Sequence, residues 1–366
     1  CALPILKIGI IGGGIAGASV AAGLAARGIT PYIIDAGDRL ASAASGNRLG
    51  LQSPRITVDH NPLSRLSADC LSYAAWYSDC AGSSLQRGVI SLDWPMREAK
   101  RQDKFRAQFW PADLMFSVDR SAASSTAGVE LPLGGMWHQW ARVIEPSKLT
   151  HALAASASLQ MRFIVEDIRR KDEGFSICAA DGRELTFNKL VLAAGADIGS
   201  LLGFADIEGL AIDITSGQVS QVPAVRALND LAAGLSFGGY LTPAHNGFHE
   251  LGASFDRAVT DVVTDLANQQ NRNRLPTALA ALMPESNRFK ARVSRRASSP
   301  DRAPIVGPID NNELYVIGAL GARGLTFGPL LGDMLAAHIL NMPMTLDRQL
   351  WQLLDPFRFR LRASRL

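Results

Sequence analysis

The chain has 366 residues, 47% of them hydrophobic and 19% charged, with a formal net charge of +3. That length outgrows one small core and points to two domains, and that balance excludes a disordered or fibrous protein. Its four cysteines make no C-x-x-C pair and no metal-ligand spacing, so the expectation is reduced thiols in a cytoplasmic protein with no metal centre.

No secretory leader pattern opens the sequence, and its start at Cys1 is what a piece cut from a longer chain would show. The β-branched run from Ile8 to Ile11 predicts a buried parallel strand. It breaks at Gly12, Gly14 and Gly17, spaced G-x-G-x-x-G, with Ile15 and Ala16 between them. An alanine-rich helix follows from Ala18 to Ala26, and Arg27-Gly28 ends it. Gly12 allows a tight turn, Gly14 leaves the backbone open to a pyrophosphate, and Gly17 lets helix and strand approach. The helix N-terminus then aims its N–H groups at the phosphates. A second strand from Thr30 ends in Asp35-Ala36, about 20 residues beyond the glycines, where a ribose hydroxyl needs a carboxylate. The glycines, with Lys7 and Arg27, fit a buried βα unit better than a membrane span.

Small and polar residues from Ala41 to Gly50, including Ser45, Gly46 and Asn47, let a backbone run close to a flat ligand. Helical spacing covers Asn61 to Asp79, with apolar positions at Leu63, Leu66, Leu71, Tyr73, Ala74 and Trp76-Tyr77. Val89 to Leu92 reads as a strand, and Ala122 to Thr126 as a surface loop. Another strand opens at Gly134. A helix starts at Glu145-Pro146 and runs to about Ser156. Strands are expected from Met161 to Val165, Gly174 to Cys178 and Glu184 to Phe187, with Asp181-Gly182 as a hairpin turn. The run Lys189 to Ala196 is a buried strand ending in Ala194-Gly195, beneath the nucleotide. From Ile212 alternating strands predict an antiparallel sheet, followed by a helix from Thr264 to Leu282.

Leu314 to Thr326 repeats the strand–glycine–helix design through Gly321, Arg323, Gly324, Leu325 and Thr326, with a helix from Pro329 to Leu340. Two helix ends facing glycine turns imply an elongated cofactor and favour FAD over a nicotinamide coenzyme. The fold expected is α/β, a Rossmann-like FAD-binding domain with a second, antiparallel-sheet substrate domain. The first would comprise 1–86, 145–211 and 296–366, and the second 87–144 and 212–295. Basic clusters occur at Lys100-Arg101, Lys104 and Arg106, at Arg288, Lys290, Arg292, Arg295 and Arg296, and at Arg358, Arg360, Arg362 and Arg365. They fit phosphate backbones or solvated helix faces.

The N-terminal fingerprint, the strand ending at Gly195, Asp301-Arg302-Ala303-Pro304-Ile305-Val306-Gly307 and the last glycine loop together resemble the D-amino-acid/glycine/sarcosine oxidase family of flavoproteins. Several segments resemble one branch of it: Ala44-Ser45-Gly46-Asn47-Arg48, Ser216 to Ser220, Gly239 to Pro243, Gln269 to Leu275 and Ala319 to Leu325. In that branch the flavin domain removes a carboxymethyl group from a modified wobble uridine of tRNA, and a methyltransferase domain then methylates the amine. The resemblance implies FAD as cofactor, tRNA as partner through the basic clusters, a methyltransferase domain or partner, and no membrane. It implies that Arg295 clamps the substrate carboxylate beside Tyr240, and that Arg323 lies near the isoalloxazine. A surface cation and a sheet-packing aromatic are the competing readings of Arg295 and Tyr240. Two departures stand out: Arg295 is followed by Arg296-Ala297 instead of Cys-Ala, and the loop from Ser298 to Pro300 is one residue longer than the family pattern. A small-molecule oxidase of glycine, sarcosine or a D-amino acid, and a nonenzymatic RNA-binding module, are the alternatives.

Overall fold

A computed structural model of the chain describes residues 6–107, 111, 114–205, 207–310 and 313–363, without the side chains at 97, 98 and 361–363. Cys1 and Arg365 lie outside the described residues, as does the side chain of Arg362. Contacts divide the chain into two units, residues 1–46, 147–214 and 296–366, and residues 47–146 and 215–295.

In the first unit, β1 (Ile8–Ile11), α1 (Ile15–Ala25) and β2 (Tyr32–Ile34) follow one another as the glycine spacing predicts. A six-stranded sheet runs in the order Ile305–Pro308, Leu314–Gly318, Lys189–Leu192, β1, β2, Ser158–Gln160. Every pairing is parallel except that of the edge strand Ile305–Pro308. Parallel strands are buried on both faces, which explains the unbroken apolar runs of β1 and Lys189–Leu192. Nine of the eleven residues of α1 are buried, because the helix Gly324–Ile339 covers its far side. Small residues make that contact possible. A Cβ on Gly332 would lie 2.4 Å from the Ser19 Cβ, and one on Gly23 would lie 2.8 Å from the Ala336 Cβ, an overpacking worth about 1–3 kcal/mol. Arg27 fixes the register through Asp333 at 2.5 Å.

The second unit is built on a nine-stranded sheet. Its order is β5 (Lys290–Ser298), β3 (Asp213–Pro223), β4 (Phe248–Gly252), Tyr240–Leu241, Gly234–Ser236, Ser84–Leu92, Gly135–Ile144 and Gly50–Gln52, with Phe116–Val118 added beside Gly135–Ile144. Alternation separates its faces. Val222, Leu235, Leu241 and Leu251 turn into a core with Leu228, Leu275 and Leu279. Along β3, Gln218 and Ser220 share that face with Val222 and meet the helix Asp265–Arg274, where both hydrogen-bond the buried Asn268 Oδ1, at 2.8 and 2.7 Å. Asn271 donates to the Gln218 carbonyl at 3.0 Å, so these asparagines serve packing.

Several expectations are corrected. Residues 47–86, grouped on sequence with the nucleotide half, make their contacts in the second unit. Gly50–Gln52 pairs with Gly135–Ile144, and the helix Pro62–Cys80 packs on the same strand. Trp76, counted as an apolar position of that helix, is 56% exposed. The Ala122 to Thr126 stretch is part of a helix, Arg120–Ala127, which Asp119 caps. Met161 to Val165 is not one strand: Arg162 takes φ +55° and separates Ser158–Gln160 from Val165–Lys171. The helix from Thr264 breaks at Leu275-Pro276 into Asp265–Arg274 and Thr277–Ala280, since a residue before proline avoids the helical region. The last helix begins at Gly324, ahead of Pro329.

Candidate active site

The parallel strands of the first unit all point their carboxyl ends to one edge, where α/β sheets hold ligands. β1 delivers Gly12, Gly14, Ile15, Ala16 and Gly17 there, and β2 delivers Asp35 and Ala36. Lys189–Leu192 delivers Ala194 and Gly195, and Leu314–Gly318 delivers Gly321, Arg323, Gly324, Leu325 and Thr326. The glycines divide by role. A Cβ on Gly12, at φ +123°, would lie 2.5 Å from the Ala193 carbonyl, and one on Gly17 would lie 2.0 Å from the Gly12 carbonyl. Both positions are closed by backbone. At Gly14 the nearest atom is the Ser45 Oγ, at 3.2 Å, so that site is an open cradle which a side chain would fill.

The two glycine turns lie side by side, for a Cβ on Gly324 would be 3.2 Å from Ile15 Cγ2. Parallel helix N-termini repel unless an anion sits before them. Neither helix has an acidic residue in its first turn or a side-chain cap of its own. Ser45 Oγ accepts the Ile15 N–H at 2.9 Å and closes the loop over the turn. The Asp35 carboxylate accepts the Gly13 N–H at 2.5 Å and the Gly37 N–H at 2.7 Å. Each of its oxygens keeps a lone pair for a hydroxyl. An open glycine, two adjacent helix N-termini and an oriented carboxylate fit a dinucleotide with a pyrophosphate. Asn47 does not join this group. It belongs to the second unit, where its Oδ1 accepts from Arg292 at 2.9 Å.

The arginine pair on β5 separates by strand alternation. Arg295 is 39% exposed, its Nε 3.6 Å from the Asp261 carboxylate. Arg296, half-buried, shares the opposite face with Ser298. That serine pairs with Leu320, and its Cβ is 3.9 Å from where a Gly321 Cβ would stand. Arg296 is therefore the arginine of the pair on the glycine-turn side of the strand. The extra residue in the loop before Asp301 was the available signal, since counting from Arg296 removes it.

In the second unit, Tyr240 pairs with Gly252 across the sheet, its ring 3.0 Å from where a Gly252 Cβ would be. Along the same face lie Val219, Gln221 and Glu250. Glu250 is 2% exposed, and burial pushes its carboxyl up to about 7 despite the Arg48 guanidinium 3.9 Å away. Sequence reasoning missed Glu250, although an acid in the apolar run His249-Glu250-Leu251-Gly252-Ala253 was a signal. Its neighbour His249 is structural: Nε2 accepts the Val225 N–H at 3.3 Å, so Nδ1 donates to the Thr242 carbonyl at 2.8 Å. Burial lowers its basicity and keeps it neutral.

The three basic clusters also part ways. Arg358 is 5% exposed and bonded to Asp301 at 2.8 Å, and Arg360 donates to the Glu208 carbonyl. Burial pushes the Asp301 carboxyl up, but Arg358 outweighs it and holds the group below the usual range. Arg358 and Arg360 thus make fold contacts. In the helix Met96–Arg106, Arg106 pairs with Asp93 and Asp103, and Arg101 reaches the Ile56 carbonyl. Lys290 is exposed on β5.

Among the described residues no helix is long and apolar enough to cross a membrane. The chain is 32% identical over 396 aligned residues to the tRNA 5-methylaminomethyl-2-thiouridine biosynthesis bifunctional protein MnmC of Pseudomonas aeruginosa strain UCBPP-PA14, covering 96% of this chain and 59% of that protein. It is 32% identical to the MnmC protein of Aeromonas salmonicida strain A449, covering 97% of this chain and again 59% of the relative. The chain thus spans less than two thirds of these relatives. Among solved structures, glycine oxidase from Bacillus cereus superposes with a TM-score of 0.75 at 23% identity, covering 93% of this chain and 98% of that one. L-proline dehydrogenase from P. horikoshii gives 0.78 at 19% identity, covering 98% of both chains. These likenesses establish the fold. The sequence profile of the family described as DAO, FAD dependent oxidoreductase, matches residues 7–338, so the chain belongs to the DAO family and is an FAD-dependent oxidoreductase.

Proposed function

We propose that the chain oxidises carboxymethylaminomethyluridine, with or without 2-thiolation, at the wobble position of tRNA. The secondary amine R–NH–CH2–COO⁻ plus dioxygen and water gives the primary amine R–NH2, glyoxylate and hydrogen peroxide. What carries this reading is the similarity to the MnmC proteins along 96% of the chain. A methyltransferase, fused or separate, would act on the released amine.

Bound FAD would supply the two-electron oxidant for the C–N bond, with dioxygen as final acceptor. Gly14 would leave room for its pyrophosphate before the helix ends at Ile15 and Gly324, and Asp35 would take a ribose hydroxyl. Gly12, Ile15, Ala16, Gly17, Ala36, Ser45, Gly46, Ala194, Gly195, Gly321, Leu325 and Thr326 would complete that pocket. The substrate carboxylate needs a planar, bidentate cation. Arg296 suits this better than Arg295, which spends its charge on Asp261. Tyr240 would orient the amine with its hydroxyl. Arg323, in the last glycine turn, would stabilise negative charge developing on the oxidant.

The test compares glyoxylate and peroxide released from undermodified tRNA with that released from free glycine, sarcosine and D-alanine. Release from tRNA in large excess supports the reading. Equal or faster turnover of free amino acids would assign a small-molecule oxidase, and no turnover of any would leave an RNA-binding protein.

A further inference from the structure

We propose that Lys290 and Arg292 of β5, steadied by Phe248 and Arg48, form a track for the phosphate backbone of the substrate RNA. This rests on the tRNA reading above and says where on the second unit the polyanion lies. Residues two apart on a strand face the same way, and 290 and 292 are about 6.6 Å apart along it. Each cation can therefore neutralise a separate phosphate. Arg288, exposed just ahead of the strand, extends the row.

An aromatic ring and a neutral amide help hold the row in place. Lys290 Nζ stands 5.4 Å from the centre of the Phe248 ring, and Arg48 Cζ stands 5.2 Å from it. A ring that gathers two like charges offsets part of their repulsion through its quadrupole. Arg48 is anchored by the buried Glu250, and Arg292 by the neutral Asn47 side chain. Lys290 is exposed, with the Phe248 ring beside it. The basic residues elsewhere are committed differently: Arg106 to aspartates, Arg358 to Asp301.

The experiment titrates the flavin-loaded protein with a fluorescent anticodon stem-loop RNA from low to high salt. Lys290→Ala should weaken binding several-fold and reduce the slope of log affinity against log salt by about 1, and the Arg288→Ala/Lys290→Ala pair by about 2. Lys100→Ala/Lys104→Ala serves as a surface control of equal charge change, and retained flavin with an unchanged melting temperature certifies each fold. Wild-type binding with an unaltered slope in the Arg288/Lys290 pair would overturn the track alone. So would a loss confined to the Lys100/Lys104 control. If wild-type protein holds no RNA at any salt, the track and the tRNA reading fall together.

Discussion

Replacing Gly14 with valine should empty the flavin site without unfolding the protein. Gly14 sits at φ −84° and ψ −174°, a conformation that a β-branched residue adopts freely. The one atom a Cβ would meet there is Ser45 Oγ at 3.2 Å, and a few tenths of an ångström of hydroxyl movement relieves it. The expected intrinsic cost is below about 1 kcal/mol. The added methyls would instead occupy the space where a pyrophosphate meets the α1 N-terminus. Gly17→Ala is the contrasting case. Its Cβ would lie 2.0 Å from the Gly12 carbonyl, so helix and strand must separate, at about 1–3 kcal/mol or more. Flavin absorbance per protein and thermal melting of apo and flavin-loaded samples read both effects. Gly14→Val should match wild-type apoprotein in melting temperature but lack the stabilisation that FAD brings, about 2.7 kcal/mol at a hundredfold excess over Kd. Gly17→Ala should melt early even as apoprotein. A Gly14→Val protein that keeps full flavin would refute the placement of the pyrophosphate at this turn.

Three further outcomes follow from single contacts. Arg296→Ala should cut kcat/KM for the carboxymethylamino nucleoside by about a hundredfold or more, the worth of two charge-assisted hydrogen bonds, while Arg295→Ala stays within about threefold. The reverse order would return the clamp to Arg295. Glu250 holds its proton up to about pH 7 when folded, against an ordinary 4.5. The folded state therefore binds that proton more tightly. The stability it confers is complete below pH 4.5 and is lost as pH rises to about 7, some 3 kcal/mol in all. Glu250→Gln removes this titration, so its stability relative to wild type should improve from pH 5 to pH 8. Parallel melting profiles would contradict that. Arg358→Ala should destabilise the first unit by about 3 kcal/mol by removing the cation that offsets the burial of Asp301, with RNA affinity unchanged; a stable variant with weakened RNA binding would restore the basic tail as an RNA contact.

The cofactor half was legible because its constraints are local. A tight turn, a close backbone approach and a helix end impose residue types at fixed spacing, and Gly12, Gly14 and Gly17 meet them in sequence. That the second turn at Gly324 comes beside Ile15 is a long-range fact, yet the repeated strand–glycine–helix pattern pointed to it. Element ends were harder to read. Pro329 suggested a helix start, but the helix begins at Gly324, directly after the short turn Gly321–Arg323. The substrate side was the least legible. Arg295 and Arg296 are adjacent in sequence and face opposite ways, so a one-residue slip in register exchanges a surface cation for a candidate clamp. Glu250 gained meaning only when folding placed it on the face shared with Tyr240 and Arg48. Charge runs misled similarly, because counting arginines cannot reveal that Arg358 is spent on Asp301.

The central claim is that this flavoprotein takes electrons from a carboxymethylated amine carried on tRNA. Anaerobic titration of the yellow protein with tRNA bearing carboxymethylaminomethyluridine tests it directly. Flavin absorbance should bleach in proportion to the modified tRNA added, with one glyoxylate formed per flavin reduced, and return on admission of air. Flavin that stays oxidised with this tRNA but bleaches with free glycine, sarcosine or a D-amino acid would contradict it.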